Sequence, residues 1–136
     1  MSTKLSFDPT RHPALVALRM VVAALLLIHG VARMALGLVD DFGVFLAAVG
    51  FPLAYALAWA VTVIEIVGSL VLGLGWHVRI LGLYFAAQLL AGIVLVHASE
   101  GWFVVGAGRN GVEYSVLLIA VLLAVVYADS IRDQPS

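Results

Sequence analysis

The chain has 136 residues, 64% of them hydrophobic and 11% charged, with a mean hydropathy of +1.15. Soluble domains carry about 25% charged residues, so this is the composition of an integral membrane protein. A formal net charge of -1 leaves no basic patch for nucleic acid, and the absence of cysteine excludes a disulfide relay, an iron–sulfur cluster or a cysteine-ligated zinc in this chain.

Residues Met1 to His12 read as a short polar tail carrying Lys4 and Arg11, and Pro13 stands where a first helical turn tolerates it. The apolar run over 14–39 is too long for a signal-peptide core and lacks a clear cleavage context, so it is expected to be a retained first span. Within it Arg19, Val22, Leu26, His29 and Arg33 recur at steps of three and four, which places three ionisable side chains on one helix face. In hydrocarbon such groups face a bundle interior or a water-filled cavity, or snorkel at the ends, so the rest of the chain should supply partners.

A short interfacial helix is expected over 41–50, with Phe42, Phe45 and Leu46 turned toward lipid or protein. Pro52 opens a second span, 52–76, whose stripe Ala54, Ala58, Val61, Glu65, Gly68, Leu72 and Gly75 is mostly small and points Glu65 into the bundle. A third span covers 78–98, with Arg79, Ala86 and His97 on one stripe and Gln88 on another face. The glycine-rich stretch after it carries Trp102, Phe103 and Arg109 and suits an interfacial loop. A fourth span, 112–128, starts at Glu113 and continues its stripe through Leu117, Ala120, Ala124 and Tyr127. The expected fold is an all-α, integral membrane four-helix bundle, with residues 1–136 forming a single domain.

Lys4, Arg11, Arg79 and Arg132 fall on one side of these spans and Arg109 on the other, which puts both termini in the cytoplasm and the protein in the cell (inner) membrane. At about 1.5 Å per residue from each span's centre, Glu65 lies within roughly 3 Å of the midplane and His29 roughly 4 Å outward. Arg33, His97 and Glu113 lie roughly 10 to 12 Å outward, and Arg19 roughly 10 Å inward. Two clusters are geometrically possible: Arg19 with Glu65 as a buried ion pair, and His29, Arg33, His97 and Glu113 around a candidate ligand cavity opening toward the outer leaflet.

Each residue has a structural role to set against the functional one. Arg33 can snorkel at a helix end, His29 can be a hydrogen-bonded core histidine, His97 can sit at the interface, and an Arg19–Glu65 pair can fix helix register. Asn110-Gly-Val-Glu113 also has capping-box spacing. No haem is expected, because the two intramembrane histidines differ in depth by roughly 7 to 8 Å. Gly106-Ala-Gly108-Arg-Asn-Gly111 fits a dinucleotide-binding pattern but joins two spans with no βαβ unit, so no nucleotide is expected, and no metal either.

Arg19, His29-Gly30-x-x-Arg33, Pro52, Glu65-x-x-Gly68, Leu72-Gly73-Leu74-Gly75, Arg79 and Gly111-x-Glu113-Tyr114 together resemble the DoxX family of small four-span membrane proteins, from Arg19 to Leu123. Where that family often has Lys after the His-Gly pair, this chain has Arg33, which keeps a cation but loses an amine that could titrate. The resemblance implies a helical bundle and, for some members, quinone-linked oxidation such as thiosulfate-to-quinone electron transfer. Other members look like partners of redox enzymes, assembly factors or cargo receptors, and fold does not settle activity. The expectation is a quinone-interacting component of an oxidoreductase system, working in the lipid bilayer with a redox partner protein or subunit. The alternatives are a non-catalytic scaffold or partner-recruiting subunit, and then a small transporter; a homo-oligomer is compatible with each.

Overall fold

The structure, a computed structural model, describes residues 13–132, with Arg132 by its backbone alone. The terminal tails lie outside the described residues, and with them Lys4 and Arg11 of the expected cytoplasmic flank. Among the described residues there is no strand and 80% are helical, as an all-α membrane bundle requires. The elements are α1 (Pro13–Ala35), α2 (Val39–Ala48), α3 (Ala54–Gly73), α4 (Val78–Gly92) and α5 (Glu113–Arg132). A π-helical turn, Ile93–His97, and a 3₁₀ turn, Ala98–Glu100, extend α4. Among the described residues four helices are long and apolar enough to cross a membrane: Pro13–Ala35, Ala54–Gly73, Val78–Glu100 and Glu113–Ile131.

The first span ends four residues earlier than its hydropathy suggests, because Gly37 takes φ +71°. The Leu38 N–H then reaches back to the Arg33 carbonyl (2.9 Å) and the Gly37 N–H to Met34 (3.2 Å). This is a Schellman ending, in which a left-handed residue satisfies carbonyls that the helix leaves open. The same pattern at Gly50 closes α2 and at Gly75 closes α3.

By contacts the chain divides into two units, one running from Ala23 to Trp76 and the other joining the chain up to Val22 with everything from His77 onward. In the Ala23–Trp76 unit α1 and α3 run antiparallel in a constant register. A Cβ on Gly73 would lie 3.5 Å from that of Ala23, and one on Gly30 would lie 3.0 Å from Ile66. Small residues permit this approach, and inside hydrocarbon it is close packing more than apolar burial that holds helices together. The expected stripe on α3 is the packed one: Ala54, Ala58, Glu65, Gly68 and Leu72 are buried, joined by Thr62 and Ser69. The short helix α2 lies within two residues of its expected place. Its Val39 and Leu46 form a core with Ala54 and Ala58, against which Phe42, Phe45 and Leu57 pack.

In the other unit α4 and α5 pack antiparallel, with Phe85 and Leu122 fully buried and Leu118, Val125 and Ala128 around them. Gly82 lets α5 approach, since a Cβ there would strike Val126. The buried face of α5 is therefore Ser115, Leu118, Leu122, Val125 and Ala128, while Leu117, Ala120, Ala124 and Tyr127 of the expected Glu113 stripe are exposed. Leu15, Arg19, Val78, Val125, Ala128 and Asp129 line a cavity of about 20 Å³, room for a single water.

Candidate functional site

Arg33 sits in the last turn of α1, where the helix dipole favours a cation. Its Nη1 donates to Glu65 Oε2 at 2.7 Å and to Thr62 Oγ1 at 3.2 Å. Thr62 is held in turn, because its hydroxyl donates to the Ala58 carbonyl at 2.8 Å on the same helix. The ring of Phe42 on α2 covers one face of the guanidinium, with the ring centroid 4.9 Å from Cζ, a cation–π contact that gains strength out of water. Three helices thus converge on one cation.

The two ends of this pair differ in exposure. The Glu65 side chain is 2% exposed and that of Arg33 14%. Every hydrogen bond that the Arg33 side chain makes among the described residues leaves from Nη1, so Nε and Nη2 remain to serve something outside the chain. His29, one turn earlier on α1, is exposed, while Val22, Ala23, Leu26 and Gly30 form the buried face of that helix. This sets aside the alternative of a core histidine: the helix turns Gly30, not His29, toward α3, where a Cβ would already lie 3.0 Å from Ile66 and 3.4 Å from Glu65.

The cation on Glu65 is Arg33, where depth along the sequence assigns Arg19. That depth argument aligned the midpoints of the two spans. In the structure Ala23 faces Gly73 and Gly30 faces Glu65, so the middle of α1 lies opposite the end of α3, and the long arginine side chain at the end of α1 reaches the level of Thr62 and Glu65. Arg19 belongs to the other unit and borders the small cavity beside Asp129.

His97 and Glu113 also belong to that other unit, and both hold the loop between α4 and α5. The His97 Nδ1–H donates to the Asn110 carbonyl at 2.8 Å, since a carbonyl can only accept. Glu113 Oε1 accepts the Val104 N–H at 2.7 Å. Three backbone bonds complete the loop, from the N–H groups of Gly111, Val112 and Glu113 to the carbonyls of Phe103, Gly101 and Trp102, each 3.1 Å. Gly111 is required there, because a Cβ would overlap the Trp102 backbone. The capping-box reading is corrected: the Val116 N–H bonds to Val112, so Val112 is the cap and Glu113 the first helical residue, two places too early to reach back to Asn110. Trp102 and Phe103 are exposed on this loop.

Sequence reasoning missed Thr62 and the role of Phe42. Thr62 lies three residues before Glu65 on a helix and could have been found as its neighbour; nothing local marks Phe42 as the ring that covers Arg33. What the Arg33 site can do chemically is donate hydrogen bonds from a fixed, charge-compensated guanidinium at the chain surface. No curated protein and no solved structure matches the chain. The DoxX family model matches residues 14–98, a range that holds Arg33, Glu65, Thr62 and Phe42, and the chain belongs to the DoxX family.

Proposed function

We propose that this protein is a quinone-interacting membrane component of an oxidoreductase system, holding a quinone headgroup against the α1 stripe of His29 and Arg33. The observation that carries the reading is the half-open guanidinium of Arg33, held at one nitrogen by Glu65 and Thr62 and backed by Phe42. The donor set fits the ligand: a quinone carbonyl accepts hydrogen bonds, and Nε, Nη2 and the exposed His29 ring supply donors on the side that lipid can reach. A bound quinone would supply a two-electron acceptor soluble in the bilayer. The chain's part is to bind and orient the headgroup, while a redox partner protein or subunit delivers the electrons. His97 and Glu113 hold the loop after α4 in this reading and are not headgroup ligands. The setting we propose is the cell membrane, with both termini cytoplasmic.

A partner-recruiting scaffold is the second reading, favoured by the closed carboxylate of Glu65, which is placed as a pair that fixes helix register would be. Titrating a short-chain benzoquinone against wild type and His29→Ala in detergent, with melting temperatures read in parallel, separates the two. The quinone reading expects saturable binding that weakens roughly tenfold in His29→Ala at unchanged melting temperature, the loss of about one hydrogen bond. Wild-type protein without saturable binding would leave the scaffold.

A further inference from the structure

Arg79 is the second residue of α4 and Asp129 stands in the last turn of α5, so the antiparallel pairing of these helices brings both to one end. There Arg79 Nε lies 3.2 Å from Asp129 Oδ2, and Arg79 Nη2 donates to the Asp129 backbone carbonyl at 2.8 Å. Arg19, in the second turn of α1, lines the small cavity beside Asp129. Among the described side chains two arginines and one carboxylate meet at this end, which leaves one positive charge over. His77, ahead of α4, makes no side-chain cap bond, so the positive end of that helix adds to the same field. The Arg33–Glu65 pair, by contrast, is balanced one to one.

In a bilayer this end lies at the headgroup layer. The spans Val78–Glu100 and Glu113–Ile131 put Arg79 about 1.5 Å and Asp129 about 3 Å from their ends by the helical rise. Arg19 stands about 9 Å in from Pro13, a depth from which a long arginine side chain reaches back toward that layer. A surplus cation there calls for a counter-ion, and basic pockets between membrane helices take acidic lipid headgroups. We propose that Arg79 and Arg19 form a binding site for an anionic phospholipid, with its phosphodiester on the open side of Arg79. The guanidinium fork matches phosphate geometry, and 38% of the Arg79 side chain is exposed. The cavity of about 20 Å³ admits one water and no phosphate group, so Arg19 acts through its charge and a bridging water. Leu18, Ile80 and Tyr127, exposed on the same three helices, supply apolar surface for the acyl chains. The site is independent of the quinone reading, because its residues lie outside the unit that holds Arg33.

The test uses the full chain in a neutral detergent and follows the melting temperature as phosphatidylglycerol, phosphatidylcholine or inorganic phosphate is added. Phosphatidylglycerol should give a saturable rise, with an apparent affinity about fivefold tighter than that of phosphatidylcholine, the worth of one unanswered arginine near a charged headgroup. Added salt should shrink the difference. Arg79→Gln should weaken phosphatidylglycerol binding about fivefold, and Arg19→Gln by less. Asp129→Asn removes the carboxylate that competes for Arg79 and should tighten it, a gain that a damaged fold does not produce. Phosphatidylglycerol bound no more tightly than phosphatidylcholine, or an affinity unmoved in either Arg79→Gln or Asp129→Asn, would overturn the proposal. Inorganic phosphate giving an equal rise at equal concentration would make this a site for the free ion and overturn the lipid assignment.

Discussion

Two arginine–carboxylate pairs among the described residues differ in almost everything except chemistry. Arg33 and Glu65 meet at 2.7 Å with side-chain exposures of 14% and 2%. Arg79 and Asp129 meet at 3.2 Å with exposures of 38% and 21%, and there the Arg79 Nη2 also donates to the Asp129 backbone carbonyl at 2.8 Å. In the first pair the surroundings are side chains and hydrocarbon, so each charge depends on the other. In the second, the open side of Arg79 is screened wherever water and salt reach it, and the backbone bond is indifferent to the carboxylate. The same two functional groups are thus indispensable in one place and nearly dispensable in the other.

The largest effect expected from this difference is at Glu65. Glu65→Ala should destabilise the protein by about 3 to 5 kcal/mol, because it leaves the mostly buried Arg33 guanidinium without the carboxylate that balances its charge. Removing both charges in an Arg33→Met, Glu65→Leu double variant should cost much less than the sum of the single changes, with a coupling of at least about 1 kcal/mol. Equilibrium unfolding in detergent reads the whole cycle, and strictly additive losses would mean that the pair does not act as a unit. The smallest effect is at Asp129. Asp129→Ala should shift stability by less than about 1 kcal/mol, and raising the salt concentration should shrink even that. A loss there comparable to that of Glu65→Ala would erase the distinction between the two pairs.

Much of this architecture is legible in the sequence. Four spans follow from hydropathy and the packed face of α3 from the spacing of its small residues, whereas α1 and α3 end before their expected bounds, ahead of glycines in left-handed turns. The pairing of Arg33 with Glu65 was not legible, because it depends on how far one helix slides along another, and periodicity carries no information about that offset. The roles of His97 and Glu113 escaped for a different reason. Their partners are the backbone carbonyl of Asn110 and the backbone N–H of Val104, groups that every residue carries and no letter announces. The switch from α- to π-helix at Ile93 likewise has no mark in a segment as uniformly apolar as Ile93-Val-Leu-Val.

The separation of 32 residues between Arg33 and Glu65 has a consequence for biogenesis. A ribosome makes the cation first, and α1 reaches the membrane ahead of the helix that carries the answering carboxylate. Until α3 arrives, an arginine at the end of α1 is best accommodated at the headgroup layer, where its long side chain keeps the charge in water. Arrival of Glu65 then draws that charge inward and converts a loosely anchored first helix into one locked in register. In the nascent chain, the residue that fixes the finished packing is also the one that holds the first span near the surface until its partner helix arrives.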